Sequence, residues 1–199
     1  MTKKSSRSAA AERTTRETSV HVELTLDGAG TSQINTGVGF LDHMLDLLSK
    51  HGRFDLTCRA EGDLEVDAHH TTEDAGIVLG KAFAQALGDK KGISRFADAR
   101  VPMEDSLCAV AVDISGRGFL SYNAKFPAQK IGEFDVELVE EFLRAFCTNA
   151  GINMHVDVVR GTNTHHVAEA IFKATARALR MAVEPDPRMT GVPSTKGKL

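Results

Sequence analysis

His69-His70-Thr71-Thr72-Glu73 and His165-His166-Val167-Ala168-Glu169 spell the same word, His-His-x-x-Glu, about half the chain's length apart. Each copy opens a stretch of helical pattern. In a helix, residues i and i+4 share a face, while i+1 lies about 100° round the cylinder. His69 with Glu73 can therefore grip one ion while His70 aims at another, and His165, Glu169 and His166 repeat that division. One such word alone could be a helix cap. Two copies, both starting helices, point to metal chemistry.

The repeat reaches beyond these cassettes. Glu17-Thr18-Ser19 leading into residues 20–28 parallels Glu104-Asp105-Ser106 leading into residues 107–116, each a strand pattern that ends in a turn. Residues 40–48 match residues 138–146 as amphipathic helices, followed by Gly52 and Gly151, which suit helix C-termini. This alignment sets His43 opposite Glu141, each at the border of its apolar stripe and one helix ahead of a cassette. Eight candidate ligands result: His43, His69, His70, Glu73, Glu141, His165, His166 and Glu169. Shared faces divide them into His43, His70, His165 and Glu169 for one ion, and His69, Glu73, Glu141 and His166 for the other. Imidazoles and carboxylates without a thiolate suit Mn²⁺, Fe²⁺ or Zn²⁺. Four protein ligands around an octahedral ion leave positions open for substrate or water, whereas a structural zinc closes at four.

The rest of the pattern predicts an α+β fold with an internal duplication. Strands are expected near residues 20–26, 54–60, 107–114, 118–126 and 152–159, alternating with helices, so that each half is a small sheet with helices against one face. Gly88 should stop the first cassette helix, and Pro185 and Pro187 the second. Residues 1–15 read as a flexible tail with no apolar core of a secretion signal, and residues 16–199 as one domain with halves at about 16–100 and 101–190. A net charge of −3 gives no broad basic field for nucleic acid. The apolar runs are too short to cross a bilayer. Cys58, Cys108 and Cys147 lie unpaired in apolar segments, as reduced thiols of a cytoplasmic protein would.

Gly39-Phe40-Leu41-Asp42-His43-Met44, residues 68–74, residues 165–174 and the tail Pro193-Ser194-Thr195-Lys196-Gly197 together resemble the imidazoleglycerol-phosphate dehydratases of histidine biosynthesis, from Arg16 to Leu199. Some members of that family have histidine at the position of Glu141, which bears on the affinity of one ion and not on the reaction. The resemblance implies a four-stranded sheet in each half, a homo-oligomeric shell of 24 subunits, and two Mn²⁺ ions per active site held between subunits. It also implies the substrate, an imidazole phosphate: D-erythro-imidazoleglycerol phosphate loses water to give imidazoleacetol phosphate. By the same resemblance Glu17 serves as acid or base near the departing hydroxyl, beside His43, His70 and Glu169 at the catalytic centre. Arg95, Arg117, Lys173, Ser194, Thr195 and Lys196, the last three in the tail at 191–199, would hold the phosphate. His51, after the first apolar helix, is a further candidate substrate contact.

Overall fold

The structure is a computed structural model that describes residues 6–199. Its element order repeats. The first half runs β1 (Ser8–Thr14), β2 (Thr18–Thr25), β3 (Ser32–Asn35), α1 (Gly39–Gly52), β4 (Asp55–Gly62) and α2 (His69–Leu87). The second runs β5 (Phe96–Met103), β6 (Ser106–Asp113), β7 (Phe119–Asn123), a short hairpin of β8 (Lys130–Ile131) and β9 (Phe134–Asp135), α3 (Glu137–Ala150), β10 (Asn153–Arg160) and α4 (Thr164–Val183). The sheets have the same topology, β1-β2-β4-β3 and β5-β6-β10-β7, with the last pair parallel and the others antiparallel. The duplicated α+β architecture is therefore present, down to strand order.

Two expectations are corrected. Ser8–Thr14 is not part of a flexible tail but an edge strand paired along its length with β2, and Arg7 is tied to Asp27 and to the Val183 carbonyl. Residues 1–5 of that expected tail lie outside the described residues. The second half begins at Phe96 and not at 101, because β5 pairs with β6. Gly52 ends α1 as expected, and Arg53, in the left-handed region at φ 54, caps it. Gly88 and Gly151 cap α2 and α3 as expected, and α4 ends at Val183 before Pro185.

The helices exchange partners between halves. α2 lies against β1 and β2 and packs on α3, whereas α4 lies against β5 and β6 and packs on α1. On the α2–α3 seam, Gly76 and Gly80 let the helix backbones touch: a Cβ on Gly76 would stand 2.6 Å from the Phe142 carbonyl oxygen, and one on Gly80 2.7 Å from that of Phe146. Phe83 and Phe146 meet edge to face at 5.4 Å, and Phe142 stacks on Phe172 of α4 at 5.5 Å. These rings join both seams into one continuous core. No helix among the described residues is long and apolar enough to cross a membrane.

Candidate metal centre

The α1–α4 seam carries the site. α1 and α4 pack together, and their apolar stripes bury Leu41, Met44, Leu45 and Leu48 of α1 and Ala168, Phe172 and Ala176 of α4. That places the border residues His43, His165 and Glu169 at one end. The Nε2 atoms of His43 and His165 each donate to the same Glu169 oxygen, Oε1, at 3.0 Å. The two rings lie 5.7 Å apart, with Phe40 edge-on to both. Among the described residues these three form a group whose donor atoms all lie within 4.8 Å of one another. Asn163 starts α4 by accepting from the His166 backbone N–H, which fixes where the cassette begins.

The charge state suits a divalent ion. Burial alone would raise the Glu169 carboxyl; the hydrogen bond from Lys173, with those from His43 and His165, outweighs it and brings the pKa down to about 2. The carboxylate is ionised at any working pH. The cysteines offer no competing soft ligand, since burial pushes each thiol up to about 12. Two imidazole nitrogens and one carboxylate oxygen converging on a point fit an ion of the Mn²⁺, Fe²⁺ or Zn²⁺ kind.

Of the four ligands expected for this ion, the chain brings together His43, His165 and Glu169. His70 is held elsewhere, its Nδ1 donating to Asp63 Oδ2 at 2.9 Å. The other set is not assembled. His166 Nδ1 donates to Asp105 Oδ1 at 2.6 Å, the His69 ring lies against that of His70, and among the described residues Glu73 and Glu141 join no cluster of three or more possible ligands. The α2–α3 seam puts two like charges where the α1–α4 seam has His43 and Glu169. Ile77 stands where the repeat matches Lys173, so that position brings no ammonium to them.

Asp63 and Asp105 were not foreseen from the sequence. Each binds a cassette imidazole by Nδ1 and so reserves Nε2 for an ion, the usual way a carboxylate orients a ligand histidine. Asp105 is itself fixed by the backbone N–H groups of Thr162 and Asn163, which drive its pKa far below the ordinary carboxylate range. Asp63's hydrogen bond, joined by the charges of Glu17 and Asp67, raises the pKa of His70. The sign follows: that pair's contribution to stability is complete below the unfolded imidazole pKa and is lost as pH rises through the folded one, while ion binding requires the neutral ring. Asp63→Asn should therefore lower the His70 titration midpoint followed by NMR. An unmoved midpoint would show that the contact does not set the ring's state.

The substrate-side candidates fall in two places. Arg95, at φ 68, is clamped by both oxygens of Asp113, at 2.7 and 3.2 Å, stacks on Phe96, and donates to the Pro193 carbonyl at 2.7 Å. It thus anchors the tail, where Ser194 Oγ accepts from Lys196 N and Thr195 and Lys196 are exposed; the last residue, Leu199, lies against Gly116, next to exposed Arg117. Lys173 instead sits on the α1–α4 seam, with Nζ 2.5 Å from Glu169 Oε2. His51 is near it: burial first, then the charges of Lys173 and Arg177, lower its pKa. Arg177 escaped the sequence reading although it continues the stripe His165, Glu169, Lys173. Glu17, in the β1–β2 turn, is tied to the His70 loop through its carbonyl, which accepts from Asp63 N at 3.1 Å. A cavity of about 630 Å³ opens beside Phe40, between Leu64, Val66, Ile131 and Phe134.

Comparison with known proteins gives a consistent result. The family profile of imidazoleglycerol-phosphate dehydratase matches residues 36–179. The dehydratase of Methylorubrum extorquens is 59% identical over 194 residues, 97% of this chain and 100% of that protein. That of Geobacter metallireducens is 57% identical over 194 residues, covering 98% of this chain and 100% of that protein. The crystal structure of the Staphylococcus aureus dehydratase superposes with a TM-score of 0.81 at 44% identity, covering 89% of this chain and all of that one. The Pyrococcus furiosus enzyme, solved in complex with (S)-C348, gives 0.82 at 34% identity, covering 94% and 99%. The doubled cassette, the doubled sheet and these likenesses agree, and the chain belongs to the imidazoleglycerol-phosphate dehydratase family of hydro-lyases.

Proposed function

We propose that this protein is a metal-dependent dehydratase that converts D-erythro-imidazoleglycerol phosphate to imidazoleacetol phosphate and water. The observation that carries this reading is the convergence of His43 Nε2 and His165 Nε2 on one ionised Glu169 oxygen. The substrate's leaving hydroxyl sits next to an imidazole and not next to a carbonyl, so the deprotonated ring must supply the electrons that expel it, and divalent ions, Mn²⁺ for preference, would supply the Lewis acidity that favours loss of the ring proton. His43, His165 and Glu169 would hold one ion, with His70 as a fourth ligand; His69, Glu73, Glu141 and His166 would hold the second. Since His70 and His166 are locked by Asp63 and Asp105 with Nε2 left over, a neighbouring subunit of the homo-oligomer, the 24-subunit shell of the resemblance, is the natural source of the missing donors.

The remaining roles belong to the chain's own groups. Glu17, whose charge reaches His70, handles a proton near the departing hydroxyl. Neutral His51 contacts the substrate within the field of Lys173 and Arg177. Arg95, Arg117, Lys173, Ser194, Thr195 and Lys196 receive the phosphate dianion. The setting is cytoplasmic. The test is incubation of the Mn²⁺-supplied protein with imidazoleglycerol phosphate, with formation of the enolisable ketone as the expected result; turnover of simple phosphate esters in its place would indicate a hydrolase. Deletion of residues 193–199 should weaken substrate binding about tenfold or more, through loss of charge-assisted hydrogen bonds. An unchanged KM would remove the tail from the phosphate site.

A further inference from the structure

We propose that Lys173 is a positioning residue that restricts Glu169 to a single donor oxygen. The inference rests on the metal-centre reading given above and goes beyond it, since the proposed function gives Lys173 only a phosphate contact. The geometry divides the carboxylate in two. Oε1 takes both imidazoles at 3.0 Å, whereas Oε2 takes the Lys173 ammonium at 2.5 Å. The ammonium is held from the other side as well, 3.0 Å from the sulfur of Met103, the last residue of β5. Both charged side chains are nearly enclosed, at 16% and 10% exposure, so the pair is less screened than a surface ion pair. Lys173 lies i+4 from Glu169 on α4, which sets the ammonium along the same face.

The repeat supplies an internal contrast. Glu73 matches Glu169, but Ile77 stands in place of Lys173, and among the described residues Glu73 joins no cluster of three or more possible ligands. The cassette with an ammonium has an oriented carboxylate; the one without has none.

A free carboxylate binds a divalent ion through one oxygen or both. With Oε2 occupied by an ammonium, only Oε1 is offered, and the ion keeps one more position open for an incoming group. Lys173 has three N–H donors. Two are spent on Glu169 and Met103, and the third remains for an anionic group of the substrate, so the positioning role is compatible with the phosphate contact proposed above.

The test uses the full-length protein titrated with Co²⁺ at less than one equivalent per chain, read by its visible absorption, which weakens as coordination number rises, and by binding affinity. Lys173→Met keeps an unbranched stem and removes the ammonium. Its Co²⁺ spectrum should weaken, and affinity should rise about tenfold, because a second oxygen joins and a like charge leaves. Lys173→Arg, which still caps Oε2, should restore the native spectrum. A Met variant with the native spectrum and native or weaker affinity overturns the proposal. If the Met variant does not fold, Lys173→Gln is read by the same two measures. Absence of Co²⁺ binding by the unaltered protein would instead overturn the metal-centre reading on which the proposal stands.

Discussion

Glu169→Ala should leave the α1–α4 seam with three unsatisfied groups at once, and both turnover and binding of the ion assigned to His43 and His165 should fall below detection. Glu169 is 8% exposed and holds His43, His165 and Lys173. Removing the carboxylate strands a mostly enclosed ammonium, which costs about 3 kcal/mol. For a chain of this length that is on the order of 9 °C in Tm. Loss of a group that merely orients a ligand lowers metal affinity roughly 10–100-fold, and removing a ligand should exceed that. Glu169→Gln keeps the shape and removes the charge. Its pH behaviour is diagnostic: the native carboxyl has a pKa of about 2 against an ordinary 4.5, so its contribution is fully present above 4.5 and is lost as pH falls through about 2. Acid unfolding of the Gln variant should lack that slope. Calorimetry across this range checks it; a Gln variant with the native profile would show that the ion pair adds nothing to stability.

Gly76→Val should be strongly damaging to the α2–α3 seam. Alanine is favoured over glycine inside a helix by about 1 kcal/mol. Here that preference loses, because the new Cβ would meet the Phe142 carbonyl oxygen at 2.6 Å and the Ala145 Cβ at 3.0 Å. Neither neighbour is the far end of a flexible side chain, so the helices must part. Gly76→Ala should therefore destabilise despite its propensity, and the branched valine should cost about 3 kcal/mol or more. Parting the helices also moves Glu73 and Glu141, so weaker binding of the second ion should accompany the loss. Thermal unfolding of both variants decides it: an alanine variant more stable than the native protein would mean that the seam is looser than its geometry implies.

What the sequence disclosed follows the strength of each local signal. The cassettes, α1 and α3 were readable because apolar stripes of helical period end in Gly52, Gly88, Gly151 or Pro185. β1 and β5 were not, because their inward residues include Ala9, Ala11, Ala97 and Ala99, too small to mark an alternation, and because Pro102 breaks the second pattern as only an edge strand allows. β3 has a single apolar residue, Ile34. At the site, the partnership of His43, His165 and Glu169 could be drawn from the repeat. Asp63 and Asp105 could not, since each approaches its imidazole from a loop after β4 or between β5 and β6, and only the folded sheets bring those loops to the cassettes. The separation of His70 from its expected companions had the same origin: α2 is committed to α3, whereas α1 and α4 share the other seam.

That exchange of helices bears on ancestry. If one repeat existed before duplication, its two helices had no complementary seam within their own chain, and only a second molecule could have supplied one. The fusion of two such molecules made each seam a separate locus, free to diverge without its twin. One now holds a lysine beside its glutamate and the other an isoleucine, a difference that no symmetric dimer of identical chains could have sustained.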